Sequence, residues 1–193
     1  MHHAKGPINN FERIMALPED EKAELVNGVI IYSMAPASIE HSRTCGALTT
    51  KITAYAESKE KGPDDPDSWV VVPEAWTYYD HNNVFVHDIA AYLQKELPAT
   101  SERGPIKTRP VWVCEVLLPS NWINDTEYKR VILEKYLVPF YWLVDPIRKA
   151  IQVFELKKHD VHYQIVKVVY DGDGVVKLPP FHDLELDLRR VFK

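Results

Sequence analysis

Residues 111–118 read Val-Trp-Val-Cys-Glu-Val-Leu-Leu, and Pro119 stops the run. Eight residues that are apolar on both alternating faces predict a central strand covered on both sides. Alternation puts Val111, Val113, Glu115 and Leu117 on one face and Trp112, Cys114, Val116 and Leu118 on the other. Glu115 is the exception in this run. Burying even a neutral polar group unpaired costs roughly 2–7 kcal/mol, and a carboxylate costs more. A cation, a metal ion or a proton must meet Glu115, and the other polar groups of the chain are read against that requirement.

A second acid has the same character. Asp88 follows Val84-Phe85-Val86-His87 and precedes Ile89-Ala90, on the face of Val84 and Val86. By itself, Asp88 reads as a strand-end residue that caps a loop. Two acids in two neighbouring apolar strands can instead converge on one divalent ion, and carboxylate oxygens favour Mg²⁺ or Mn²⁺. Lys129 is the third group. It shares a helical face with Ile132, Leu133 and Tyr136, so it lies on the apolar side of its helix and can point at Glu115. The plain alternative is an i, i+4 surface pair with Asp125, worth roughly 0.2–0.5 kcal/mol. On either reading, Lys129→Met is expected to leave stability almost unchanged.

The 193 residues suit one domain with a full core, taken as 1–193. The elements form an α+β pattern, a mixed central sheet flanked by helices. A short helix spans Phe11 to Ala16 and continues in part over Asp20 to Val26. A strand follows the turn at Gly28. A long helix capped by Ser38 runs to about Lys61, with His41, Cys45, Leu48, Ile52, Tyr55 and Ala56 on its inner face. Trp69–Tyr79 and Val84–Leu93 form a hairpin, and a polar loop carries Arg103, Lys107 and Arg109. A helix over about 124–137 follows the central strand. The strand Phe140–Val144 and a hairpin over 150–170 come next, and an amphipathic tail element ends the chain. Cys45 and Cys114 read as core thiols, Trp122 as core or interface, and His81 and His87 as surface or hairpin positions.

The net charge of −5 excludes a chain that binds nucleic acid by bulk positive charge. A nucleic-acid site here would need a local basic patch or a metal ion. No apolar run approaches the ~20 residues of a membrane span, and the polar N-terminus lacks a signal-peptide core. A cytoplasmic protein is expected.

The ordered stretches Glu24-Leu25-Val26-Asn27-Gly28, Met34 through His41, His87-Asp88, Glu115 through Pro119, Asp125 through Lys129 and Tyr141 through Pro146 resemble the PD-(D/E)XK nuclease superfamily. They resemble more closely the Uma-two family of restriction endonucleases, over about Ala16 to Phe192. The resemblance implies a restriction-endonuclease-like core and a Mg²⁺-dependent DNA endonuclease site, with Mn²⁺ as the alternative ion. Asp88 and Glu115 would bind metal. Lys129, moved from the usual place two residues after the second acid, would assist the water. Glu24 and His41 would support the site. A homodimer is compatible, because enzymes that cut both strands act in pairs. Three departures stand out. His87 replaces the usual proline before the first acid, which reads as tolerable. Leu137 replaces a usual glycine. Val29 replaces an acid, which supports the alternative of a catalytically decayed nuclease fold serving as a nucleic-acid-binding or assembly module.

Overall fold

A computed structural model describes residues 9–18, 21–32, 38–62, 65–98, 104–119 and 122–193. Met34, Pro36 and Arg103 lie outside them. Helix α1 (Asn10–Met15) has Asn9 as N-cap, in a capping box with Glu12. The stretch expected to prolong it is instead strand β1 (Ala23–Val26), joined to β2 (Val29–Tyr32). The link is Asn27-Gly28, with φ of 49° and 81°. Two left-handed residues make the tight hairpin turn whose twist matches that of its strands.

Helix α2 (Ile39–Lys59) starts at Ser38, whose hydroxyl accepts the His41 N–H. Strands β3 (Trp69–Asp80) and β4 (Asn83–Leu93) follow, then the central strand β5 (Trp112–Val116). Residues Asn124–Lys129 are wound as a π-helix that runs into α3 (Arg130–Lys135). Strands β6 (Phe140–Asp145), β7 (Ala150–Glu155) and β8 (Gln164–Tyr170) complete the main sheet. The tail is not one amphipathic element. It forms a second two-stranded sheet, β9 (Val175–Leu178) with β10 (Phe181–Asp187), and then the short helix α4 (Leu188–Val191).

The main sheet runs β2-β1-β4-β5-β6-β7-β8, with β3 also on β4. The β5–β6 pair is parallel and the others are antiparallel, so the sheet is mixed. On one face, Leu48 and Ile52 of α2 pack with Ile89, Trp112, Cys114, Val116 and Trp142, and Phe181 and Leu186 of the small sheet close this layer. On the other face, Ile132 and Leu133 of α3 pack with Val113, Tyr141 and Leu143. Both faces of β5 are buried, as its apolar run requires. No described helix is long and apolar enough to cross a membrane.

Strand β4 positions the site. Along one edge it pairs with β3, from Leu93 down to Asn83. The opposite edge is divided between two strands, β1 at Val84 and β5 at Ile89–Ala91. Between those contacts neither β1 nor β5 pairs with the edge, and its backbone N–H groups need other acceptors.

Candidate active site at the divided edge of β4

Side-chain carboxylates meet that need. Glu24 of β1 accepts the Val86 N–H through Oε1 at 2.7 Å. Glu115 of β5 accepts the Asp88 N–H through Oε2 at 3.3 Å. In return, Asp88 Oδ2 accepts the Val116 N–H at 2.7 Å. The strands part at this seam, and acidic side chains continue the ladder.

Lys129 closes the gap from the α3 side. Its side chain is 2% exposed, and its ammonium lies 2.8 Å from Glu24, 3.0 Å from Asp125 and 3.2 Å from Glu115. The Asp125–Lys129 pair therefore exists, but it is buried, which removes the surface-pair reading. Both residues sit in the π-helical turn, a distortion common at functional sites. Tyr141 fixes the turn by donating its hydroxyl to the Asp125 backbone carbonyl at 2.8 Å.

Glu115 has further partners. His87 Nδ1 is 2.6 Å from Oε1, and Tyr79 Oη is 2.9 Å from His87 Nε2. Burial, with Lys129 also acting on it, lowers the His87 pKa to about 3, so the ring is neutral. Burial raises the Tyr79 pKa well above its usual value, so the phenol keeps its proton. The arrangement that satisfies all three groups has Tyr79 donating to Nε2 and Nδ1–H donating to Glu115. His87 is thus not a surface or hairpin histidine, and its replacement of the usual proline does more than shape backbone. A histidine at an inward position of an apolar strand, next to an acid, was the overlooked signal.

Burial raises Glu115 to about 8, against the charge of Lys129 and with Asp88 and Glu24 adding to the rise. Burial likewise pushes Asp125 well up. Lys129 moves the other way. Burial would lower it, but Asp125, Glu115 and Glu24 together hold it well above its ordinary value, so it stays charged. The three carboxyl groups of Glu24, Glu115 and Asp125 share one buried lysine.

Asp88 belongs to a second, adjoining group. Its Oδ1 lies 3.4 Å from His41 Nε2 of α2, and Cys45 follows one helical turn later. Cys45 is partly buried and packs against the core, as expected, but it also lies beside His41 and Asp88, whereas Cys114 is fully buried. Burial lowers the His41 pKa, but its bond to Asp88 and the charge of Asp88 outweigh that, and the net shift is upward. The site residues named from sequence thus fall into two connected groups. Glu115, Lys129 and Glu24 lie toward α3, and Asp88 and His41 lie toward α2. The two groups meet at the β4–β5 seam. Trp122, expected in core or interface, is 51% exposed.

Two of the departures also have physical content. Val29 is 62% exposed in β2, so an acid at that position would stand in solvent. Leu137 has φ of 56°, in the left-handed region just beyond α3. That is where glycine is favoured after a helix.

A family model described as "Putative restriction endonuclease" (Uma2) matches residues 9–189. The chain belongs to this family. The family match spans both groups of acids, from Glu24 to Lys129. Among solved structures, a "putative nuclease belonging to DUF820" from Anabaena variabilis ATCC 29413 shares the fold, with a TM-score of 0.72 and 20% identity. The match covers 96% of this chain and 98% of that one. No curated protein matches the chain.

Proposed function

We propose that the chain is a divalent-metal-dependent DNA endonuclease, acting as a single domain, with Asp88 and Glu115 as the residues that would hold the ion. The carrying observation is the cluster of acids at the seam, where three carboxyl groups face one buried ammonium and Asp88 adjoins Glu115. The donor set fits a hard ion. Glu115 Oε2 receives only a long 3.3 Å N–H bond, so it has capacity to spare, and the Asp88 side chain is 25% exposed and reachable. When bound, Mg²⁺ or Mn²⁺ would polarise a phosphoryl oxygen and lower the pKa of a water.

The chain's own residues do the rest. Lys129 stays protonated, so it serves as a fixed positive charge for the phosphate and not as a base. Glu24 and Asp125 hold the ammonium in place. Tyr79 and His87 orient Glu115. His41, its pKa raised beside Asp88, is the group that could exchange a proton near neutral pH. Lys107 and Arg109 precede β5 and could contact backbone phosphates. A homodimer and a cytoplasmic setting are consistent with cutting both strands of cellular DNA.

The test is a Mg²⁺ and Mn²⁺ cleavage panel on single- and double-stranded DNA and on RNA, with Glu115→Gln and Asp88→Asn as controls. Metal-dependent DNA cleavage that both variants abolish is the expected result. Absence of cleavage on every substrate, alongside metal-independent DNA binding, would favour a decayed binding module instead. Cleavage unchanged in both variants would remove these acids from the chemistry.

A further inference from the structure

The hard-ion reading uses Asp88 and Glu115 and leaves Cys45 unexplained. His41 and Cys45 are four residues apart on α2, so they project from one side of the helix. Asp88 approaches them from β4. One ligand atom from each of the three residues lies within 4.8 Å of the other two. His41 Nε2 is 3.4 Å from Asp88 Oδ1, and Cys45 Sγ is 3.7 Å from His41 Nδ1 and 3.9 Å from Nε2.

The nitrogen–oxygen separation is at the long end for a hydrogen bond. A charge-assisted N–H to carboxylate bond is about 2.7–2.9 Å. The observed separation is close to what two ligands of one tetrahedral ion require, and the sulfur need move only a few tenths of an ångström toward Nε2 to match. Bond lengths of about 2.0–2.1 Å to nitrogen, about 2.0 Å to oxygen and about 2.3 Å to sulfur put nitrogen and oxygen roughly 3.3 Å apart, and nitrogen and sulfur roughly 3.6 Å apart. The Asp88 carboxylate is also held in place, because its other oxygen takes the Val116 N–H at 2.7 Å and leaves Oδ1 toward α2. Support of this kind orients a ligand before the ion arrives.

We propose that His41, Cys45 and Asp88 form a site for a borderline transition ion of the zinc type, with three protein ligands and one open position. The site differs from the carboxylate pair in two of its ligands and shares Asp88 with it. A thiolate and an imidazole select such an ion over Mg²⁺. The inference stands on ligand geometry and does not depend on the nuclease reading.

Cobalt(II) is the probe, added to the metal-free full-length protein. A thiolate ligand gives a near-ultraviolet sulfur-to-cobalt charge-transfer band, and tetrahedral coordination gives intense visible bands. Both should saturate at one ion per chain and disappear when zinc is added. Cys45→Ser should abolish the charge-transfer band. His41→Ala should weaken cobalt binding by more than the roughly 10–100-fold that loss of an outer partner costs. Glu115→Gln and Cys114→Ala should keep the band, since neither side chain is a ligand here. A second readout needs no variant: zinc should slow alkylation of Cys45 in the folded protein, while Cys114 is buried and silent. Far-ultraviolet circular dichroism checks that each variant is folded. Absence of a charge-transfer band at saturating cobalt, or a band that survives Cys45→Ser, overturns the proposal. Cobalt binding that lacks sulfur bands and depends on Glu115 would overturn it and leave the carboxylate-pair reading intact.

Discussion

Replacing Lys129 by methionine tests the charge balance of the site most directly. Methionine keeps the apolar stem and removes only the ammonium, so packing changes little. Three carboxylates within 2.8–3.2 Å then lose their shared counter-charge in a place with almost no solvent. Removing one partner of a buried ion pair typically costs about 3–5 kcal/mol. The expectation from sequence, that stability would barely change, does not hold for a lysine this deeply buried. The cost should depend on pH, because the stranded acids can take up protons. Glu115 is raised to about 8 even with Lys129 present. Wild-type Glu115 takes up its proton over the same range, so lowering the pH from about 8.5 to 6 should recover only about 1 kcal/mol of the difference through this group. Urea unfolding of wild type and variant in chelator-treated buffer at both pH values measures this. We expect a loss of about 3–5 kcal/mol at the higher pH and a loss smaller by about 1 kcal/mol at the lower one. Saturating Mn²⁺ should stabilise the variant more than the wild type. A cost below about 1 kcal/mol at the higher pH, or equal costs at both, would mean that Lys129 is not the counter-charge of the acids.

Other expected outcomes follow from the same geometry. Between its ordinary value near 4.5 and about 8, folded Glu115 holds a proton that the unfolded chain has released, so metal-free stability should fall as pH rises through that window. Asp125 and His41 act in the same sense, while His87 acts oppositely below about 6.5, so the slope is cleanest from about 6.5 to 8 and should flatten in Glu115→Gln. A steeper slope in that variant would refute this. Tyr79→Phe removes one hydroxyl, leaves His87 Nε2 without its donor, and should cost about 1–3 kcal/mol in urea unfolding; a neutral result would break the proposed chain to Glu115. Leu137→Gly relieves a left-handed leucine that is 55% exposed. The gain should be about 0.5–1 kcal/mol and should raise Tm by roughly 2–4 °C per kcal/mol in a chain of this size. A lower Tm would show that the Leu137 side chain matters more than its backbone.

The parts of the fold carried by local chemistry were legible in the sequence. The unbroken apolar run at 111–118 predicted β5, Ser38 predicted the start of α2, and the polar turn at 80–83 predicted the β3–β4 hairpin. Features set by tertiary contact were not legible. Residues 23–26 look helical locally, yet become strand because β2 and β4 supply partners for β1. The π-turn leaves no periodic trace, because its register depends on Lys129 reaching three acids and on Tyr141 holding Asp125. Within the site, Glu115 and Lys129 stood out because charge in an apolar pattern needs an explanation. His87 was missed because a neutral histidine fits either a surface or a core. Cys45 was missed as a site residue because a partly buried thiol looks like any small apolar side chain until Asp88 is brought beside it.

The divided edge of β4 has a consequence for amide hydrogen exchange. The N–H groups of Ile89 and Ala91 lie in the segment of β4 paired between β3 and β5, so they should exchange only when that part of the sheet opens. The N–H groups of Val86 and Asp88 are held by the carboxylates of Glu24 and Glu115 instead. Protonation of an acid, capture of an ion or arrival of a phosphate can loosen those two bonds while the sheet stays closed. Val86 and Asp88 are therefore built-in reporters, and their deuterium uptake should follow the occupancy of the site while their neighbours follow the stability of the fold.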